Sequence, residues 1–131
     1  MREYELKEIR EVSGINKIYK LLINGKCDFD EFIEQIRSEG TYANELDQIQ
    51  AHLEDLGNNN LIPHNKFKEL QRDKKDNAKD FELRTNHLRV YLIRENQRNK
   101  LIILAGKKTT QRVDIKRMRK IKKDYLVIKS I

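Results

Sequence analysis

The stretch Phe81–Ile93, FELRTNHLRVYLI, decides the fold, because one pairing of it with itself sorts its side chains cleanly onto two faces, whereas a one-residue slip would mix them. A two-residue turn at Asn86-His87 joins two alternating strands, and Asn tolerates the positive φ that such turns demand. That turn predicts pairing of Thr85 with Leu88, Arg84 with Arg89, Leu83 with Val90, Glu82 with Tyr91 and Phe81 with Leu92. Side chains alternate along a strand, so Phe81, Leu83, Val90 and Leu92 face a core while Glu82, Arg84, Arg89 and Tyr91 turn the other way. Like charges directly across an antiparallel pair repel. Arg84 and Arg89 therefore require an anion nearby, either Glu82 or a phosphate from outside.

The next strand, LIILA from Leu101, empties into Gly106, Lys107 and Lys108. Returning antiparallel after ENQRN, it is expected to place Ala105 beside Arg89 and both lysines at the sheet end that holds Arg84 and His87. Glycine lets the chain leave the sheet without a side chain in the way. Four cations on one edge suit a phosphodiester, since guanidinium forks and ammonium charges match phosphate oxygens. Taken singly, each of these residues is equally a strand end facing water.

Outward from this centre the chain is α+β. YELKEIREV and NKIYKLLI alternate around Ser13-Gly14 as an N-terminal hairpin within residues 1–24. Asp28, with Glu31 three residues on, has the form of a capping box. It opens a helix whose Phe29, Phe32, Ile33 and Ile36 share a face and which stops at Gly40. Tyr42, Leu46, Ile49, Leu53 and Leu56 stripe a second helix that ends at Gly57. The two form a helical hairpin on the sheet. In KFKELQRDKKDN, Phe67 and Leu70 predict a short helical turn docked on the core. A basic helix starts near Thr110 with the stripe Ile115, Met118, Ile121, Tyr125 and Ile128. On its other faces Arg112, Lys116, Lys120 and Lys123 recur at helical spacing, as a reader of phosphate backbone or as a solvated face.

A length of 131 residues suits one domain, 1–131, without metal or disulfide staples. The single cysteine, Cys27, suits a reducing compartment and has no His or Cys near it at metal-ligand spacing. No metal or cofactor is expected: the chain has no Walker loop, no GxGxxG, no His/Cys cluster and no nucleophile elbow. Its longest apolar run, Leu101–Ala105, is too short to cross a membrane. With no signal-peptide core at the start, a soluble cytoplasmic protein is expected. Residues 1–60 hold 7 Lys/Arg against 13 Asp/Glu, and residues 61–131 hold 21 against 8. Such asymmetry predicts a basic working face with nucleic acid as its partner.

In their order, Glu82-Leu83-Arg84, Arg89-Val90-Tyr91 and Gly106-Lys107-Lys108, followed by a basic helix, resemble the RelE/ParE toxin superfamily, nearest its HigB-like branch. The resemblance spans roughly Phe29 to Lys123. It implies a RelE-like fold, with two helices ahead of a curved antiparallel sheet. It also implies a toxin of a type II toxin–antitoxin system that cleaves messenger RNA on the ribosome, inhibits translation, and is silenced by a small antitoxin with a DNA-binding domain. In that family a 2′-hydroxyl attacks the adjacent phosphate and leaves a 2′,3′-cyclic phosphate.

Carried over by position, Arg89 contacts the scissile phosphate and Lys108 stabilises charge on the phosphorane, with Lys107 and Arg84 in support. Fixed positive charge where negative charge develops is worth roughly 3 kcal/mol per well-placed donor. This chain departs from the family where some relatives carry lysines, having Asp80 and Glu82 there, and a family tyrosine falls near Asp114. Glu82 is then a candidate base, kept ionised by its arginines, and His87 or Tyr91 a candidate acid. The same resemblance leaves open a ParE-like inhibitor of gyrase. The basic face alone leaves open a non-catalytic nucleic-acid-binding or phage-derived module.

Overall fold

A computed structural model describes residues 2–12, 14–71, 78–96 and 98–129. In chain order the elements are β1 (Tyr4–Glu8), β2 (Ile18–Ile23), α1 (Asp28–Glu39), α2 (Asn44–Gly57), β3 (Phe67–Glu69), β4 (Asp80–Arg84), β5 (Leu88–Arg94), β6 (Lys100–Lys107), a 3-10 turn (Lys108–Thr110) and α3 (Gln111–Lys129). All six strands form one sheet in the order β1-β2-β6-β5-β4-β3. This is α+β, and no helix among the described residues is long and apolar enough to cross a membrane.

The β4–β5 register is the one expected from an Asn86-His87 turn, from Phe81↔Leu92 to Arg84↔Arg89, although Asn86 does not take the positive φ expected of it. The N-terminal hairpin also forms, β1 lying antiparallel to β2 from Tyr4↔Ile23 to Glu8↔Tyr19. Ser13 of its expected turn lies outside the described residues. Gly14 is required by close approach: a Cβ there would stand 2.2 Å from the Gly57 carbonyl oxygen at the end of α2.

The sheet is mixed, not antiparallel throughout. β2 runs parallel to β6 through Ile18↔Lys100, Tyr19↔Leu101 and Lys20↔Ile102. The meander that ends in β6 leaves that strand pointing the same way as β2, so the hairpin can satisfy the β6 edge only in parallel. A second departure lies between β5 and β6, where pairing slips from Tyr91↔Leu104 to Leu92↔Ile102. Ile103 is the extra residue of a bulge, and Ile103 and Leu104 both join the same core cluster. Alternation then resumes one residue out of phase, so Gly106, not Ala105, faces Arg89.

Three further expectations need correction. Asp28 does not cap α1; Cys27 holds the cap position without a side-chain bond. Asp28 instead accepts the Ala105 N–H at 3.1 Å and pairs with Arg117 of α3 at 2.7 Å, because β2 leaves β6 after Ile102 and that edge of the strand needs an acceptor. Phe67 opens strand β3, not a helical turn. It pairs with Leu83 and stacks on Phe81 at 5.1 Å, a contact that extended backbone on the sheet edge provides; residues 72–77 of the expected turn lie outside the described ones. The α3 stripe is buried at Met118, Ile121 and Tyr125, but Ile128 is 40% exposed, since the helix outruns the sheet.

Both sheet faces are covered. Leu83, Val90, Leu92 and Ile102 pack with Phe29, Phe32 and Ile36 of α1 and Ile49 and Leu53 of α2. Tyr91, Ile93, Leu101 and Ile103 pack with Met118, Ile121 and Tyr125 of α3. The face carrying Glu82 and Arg89, expected to be open, is therefore roofed by α3.

Candidate functional site at the end of the sheet

Arg84 and Arg89 stand opposite one another and share an anion, and that anion is internal. The Glu82 carboxylate, fully buried, accepts a hydrogen bond from Arg84 Nε and lies 3.8 Å from Arg89 Nε. Its second oxygen accepts from Gln111 Nε2 of α3 at 2.6 Å. Arg89 is held by its own hairpin, Nη1 donating to the carbonyls of Thr85 at 2.7 Å and Leu88 at 2.8 Å. Burial pushes this guanidinium below its ordinary value and the Glu82 charge pulls it back. Tyr91 is also fully buried, and its hydroxyl has no partner among the described residues. Burial, then the charges of Glu82 and Asp114, push that hydroxyl well above the usual tyrosine range. Neither Glu82, with both oxygens engaged, nor Tyr91 faces solvent.

The two lysines part company. The bulge at Ile103 turns Lys107 to the opposite face, where its Nζ pairs with Glu39 of α1 at 2.7 Å. Lys108 is exposed in the 3-10 turn, and its N–H donates to the His87 carbonyl at 2.8 Å. The four cations therefore do not converge on one point. Gly106 has a sharper reason than chain exit: a Cβ there would stand 2.0 Å from Oδ2 of Asp114. Asp114 is buried, accepts from Thr110 Oγ1 at 2.6 Å, and has its carboxyl raised, chiefly by burial.

His87 is the sequence-derived candidate that gains most from the structure. Glu45, in the first turn of α2, sends a carboxylate only 4% exposed to the hairpin tip. One oxygen accepts from Thr85 Oγ1 and from the His87 N–H at 2.8 Å, and the other lies 2.7 Å from His87 Nδ1. The imidazole stacks on Tyr42 at 4.2 Å with planes 16° apart, and the side chain remains 45% exposed. Burial raises the Glu45 carboxyl, but its bonds to Thr85 and His87 outweigh that and leave it below its ordinary value. The sequence reading missed Glu45, although a signal was present. Glu45 falls three residues after Tyr42 and four before Ile49, so a carboxylate lies on an apolar stripe and needs buried partners.

The helix α3 sorts its cations. Arg117 pairs with Asp28, while Arg119 and Lys122 both reach the buried Asp80, at 3.4 and 3.0 Å. Lys108, Arg112, Lys116, Lys120 and Lys123 are exposed, and no carboxylate pairs with any of them among the described residues. The spacing of four, four and three residues from Arg112 to Lys123 keeps those four in one row along the outer face of α3, and Lys108 precedes the row in the 3-10 turn. Beside the row's start lies a cleft of about 320 Å³ of mixed charge, lined by Asp28, Glu31, Lys107, Asp114 and Arg117. Comparison with family models, curated proteins and solved structures finds no match to this chain.

Proposed function

We propose that this chain is an RNA-directed toxin of the RelE/HigB kind, a ribosome-dependent endoribonuclease of messenger RNA silenced by a small antitoxin. The observation that carries this reading is Lys108 with the row Arg112, Lys116, Lys120 and Lys123, free of internal carboxylates and starting at the sheet end that holds Arg84, Arg89 and His87. Like charges at this spacing destabilise a helix, and a polyanion lying along the row reverses that penalty. Phosphate contacts of this sort supply affinity and register rather than sequence choice. Lys108 is the cation at the sheet end most open to a substrate phosphate. Arg84, partly exposed, adds positive charge at that end, while Arg89 is buried and held by its own hairpin, both balanced against Glu82.

Controlled expression of the wild type beside Lys108→Ala, with growth and messenger-RNA 5′ ends mapped, tests the reading. Arrest with new cleavage sites in translated frames, lost in the variant at equal protein level, is the expected result. Arrest with intact RNA would instead indicate the ParE-like inhibition of gyrase. One observation favours a second reading, a nucleic-acid-binding module without chemistry: Glu82 already occupies the arginines expected to grip the scissile phosphate. Soluble protein that binds RNA but neither cleaves it nor arrests growth would select that one.

A further inference from the structure

We infer that His87 is the general base of the site and Glu45 its positioning residue, a pair assembled only when α2 packs on the β4–β5 hairpin. This assignment rests on the ribonuclease reading, but its geometry stands on its own. Glu45 is an ionised carboxylate and can only accept hydrogen bonds. The ring nitrogen facing it at 2.7 Å must therefore carry the proton. In the neutral imidazole the other nitrogen, Nε2, then keeps its lone pair, and it has no partner among the described residues. Tyr42 fixes the ring plane by stacking, while Thr85 Oγ1 and the His87 N–H hold the carboxylate in place. The result is an exposed base on a buried, fully bonded support, the arrangement that sets a histidine's tautomer in nucleophilic sites.

Glu45 from α2 faces Nδ1, Arg89 of β5 feels the same Glu45 charge, and Lys108 is tied to His87 through its backbone, its N–H donating to the His87 carbonyl at 2.8 Å. That bond sets the start of the cationic row next to the hairpin tip, so in this assignment a phosphodiester held by the row reaches the base. Nε2 takes the proton of the 2′-hydroxyl, and the oxygen's electron pair forms the new bond to phosphorus. The bond from phosphorus to the 5′-oxygen then breaks, that oxygen takes a proton from water, and the hydroxide so formed takes the proton from Nε2 and restores the base. A 2′,3′-cyclic phosphate and a 5′-hydroxyl end result. Glu45 also ties α2 to the hairpin, so the test must separate orientation from support.

Glu45→Gln separates them. Its amide oxygen still accepts from Thr85 and the His87 N–H, while its NH2 faces Nδ1 and forces the proton onto Nε2. Cleavage of messenger RNA loaded on bacterial ribosomes should fall by about 10²- to 10⁴-fold in Glu45→Gln and in His87→Ala, the range of general-base contributions. Both variants lose a bond or a stack at the α2–hairpin contact, so cleavage is compared at a temperature where thermal unfolding shows each of them still folded. Added imidazole should partly restore His87→Ala. Nitrogen NMR of the ring, read without any activity, should show the proton on Nδ1 in the wild type and on Nε2 in Glu45→Gln. A wild-type ring protonated on Nε2, or His87→Ala cleaving at the wild-type rate, overturns the assignment and leaves the ribonuclease reading intact. A wild type with the expected tautomer that cleaves no RNA overturns both.

Discussion

At the scale of single residues, the site is governed by carboxylates rather than by its cations. Glu82 balances Arg84 and Arg89, Glu45 orients His87, Glu39 draws Lys107 away, and Asp114 dictates that position 106 be glycine. The last case is the cleanest to test. In Gly106→Ala the new methyl would stand 2.0 Å from Asp114 Oδ2, and overpacking of this kind costs about 1–3 kcal/mol. A urea titration should show that loss in Gly106→Ala and its near disappearance when Asp114→Ala accompanies it, since neighbours in contact are not additive. Equal losses with and without Asp114 would mean that strand geometry, not the carboxylate, requires the glycine. The sequence gives reason to expect a glycine where the chain leaves the sheet. It does not show Asp114 above it, because that contact joins a strand to the first turn of a helix eight residues on.

At the scale of elements, what was legible and what was not follow from which patterns carry phase. FELRT and LRVYL alternate, so a two-residue turn at Asn86-His87 is the register that keeps their two faces unmixed, and the pairs expected from it are the ones that form. LIILA is apolar at every position, so nothing in it marks the bulge at Ile103, and the direction of Lys107 was lost with it. Likewise the stripe of α3 shows that the helix buries one face, but a stripe does not say which face of the sheet it covers. The outer face of the helix was legible, and it carries an element-scale prediction. For single strands, log affinity falls with log salt by about 0.7 per phosphate contact, so Lys116→Ala with Lys120→Ala should flatten the slope for oligouridylate by about 1.4. Arg117→Ala, which removes the partner of Asp28, should lower stability and leave that slope in place. An unchanged slope in the double variant would mean that oligouridylate makes no phosphate contacts along this row.

At the scale of the whole molecule, the charge asymmetry along the chain becomes an asymmetry in space. The acid-rich α1 and α2 lie on one face of the sheet and the basic α3 on the other. Positive potential is thereby gathered on the α3 side, and the β1–β2 hairpin at the sheet edge is tied to both faces, Arg2 pairing with Asp124 of α3 and Lys20 with Asp30 of α1. The resemblance begins only after this hairpin, which makes it an appended arm by sequence, whereas the packing makes it part of the fold. Ile9 and Val12 are 6% and 5% exposed within the core of α1 and α2, and Leu21 joins the α3 core. Burying each such side chain is worth about 1.5–3 kcal/mol, against a total of roughly 5–15 kcal/mol for a domain. Removing residues 1–17 should therefore take away a large share of the stability. It should also expose the outer edge of β2, whose unpaired N–H and C=O groups invite a second chain. Thermal unfolding together with light scattering would check both effects: an earlier transition and concentration-dependent association are expected. A truncated chain that stays monomeric and unfolds at the wild-type temperature would make the hairpin a dispensable arm, and the core would have to be redrawn without Ile9 and Val12.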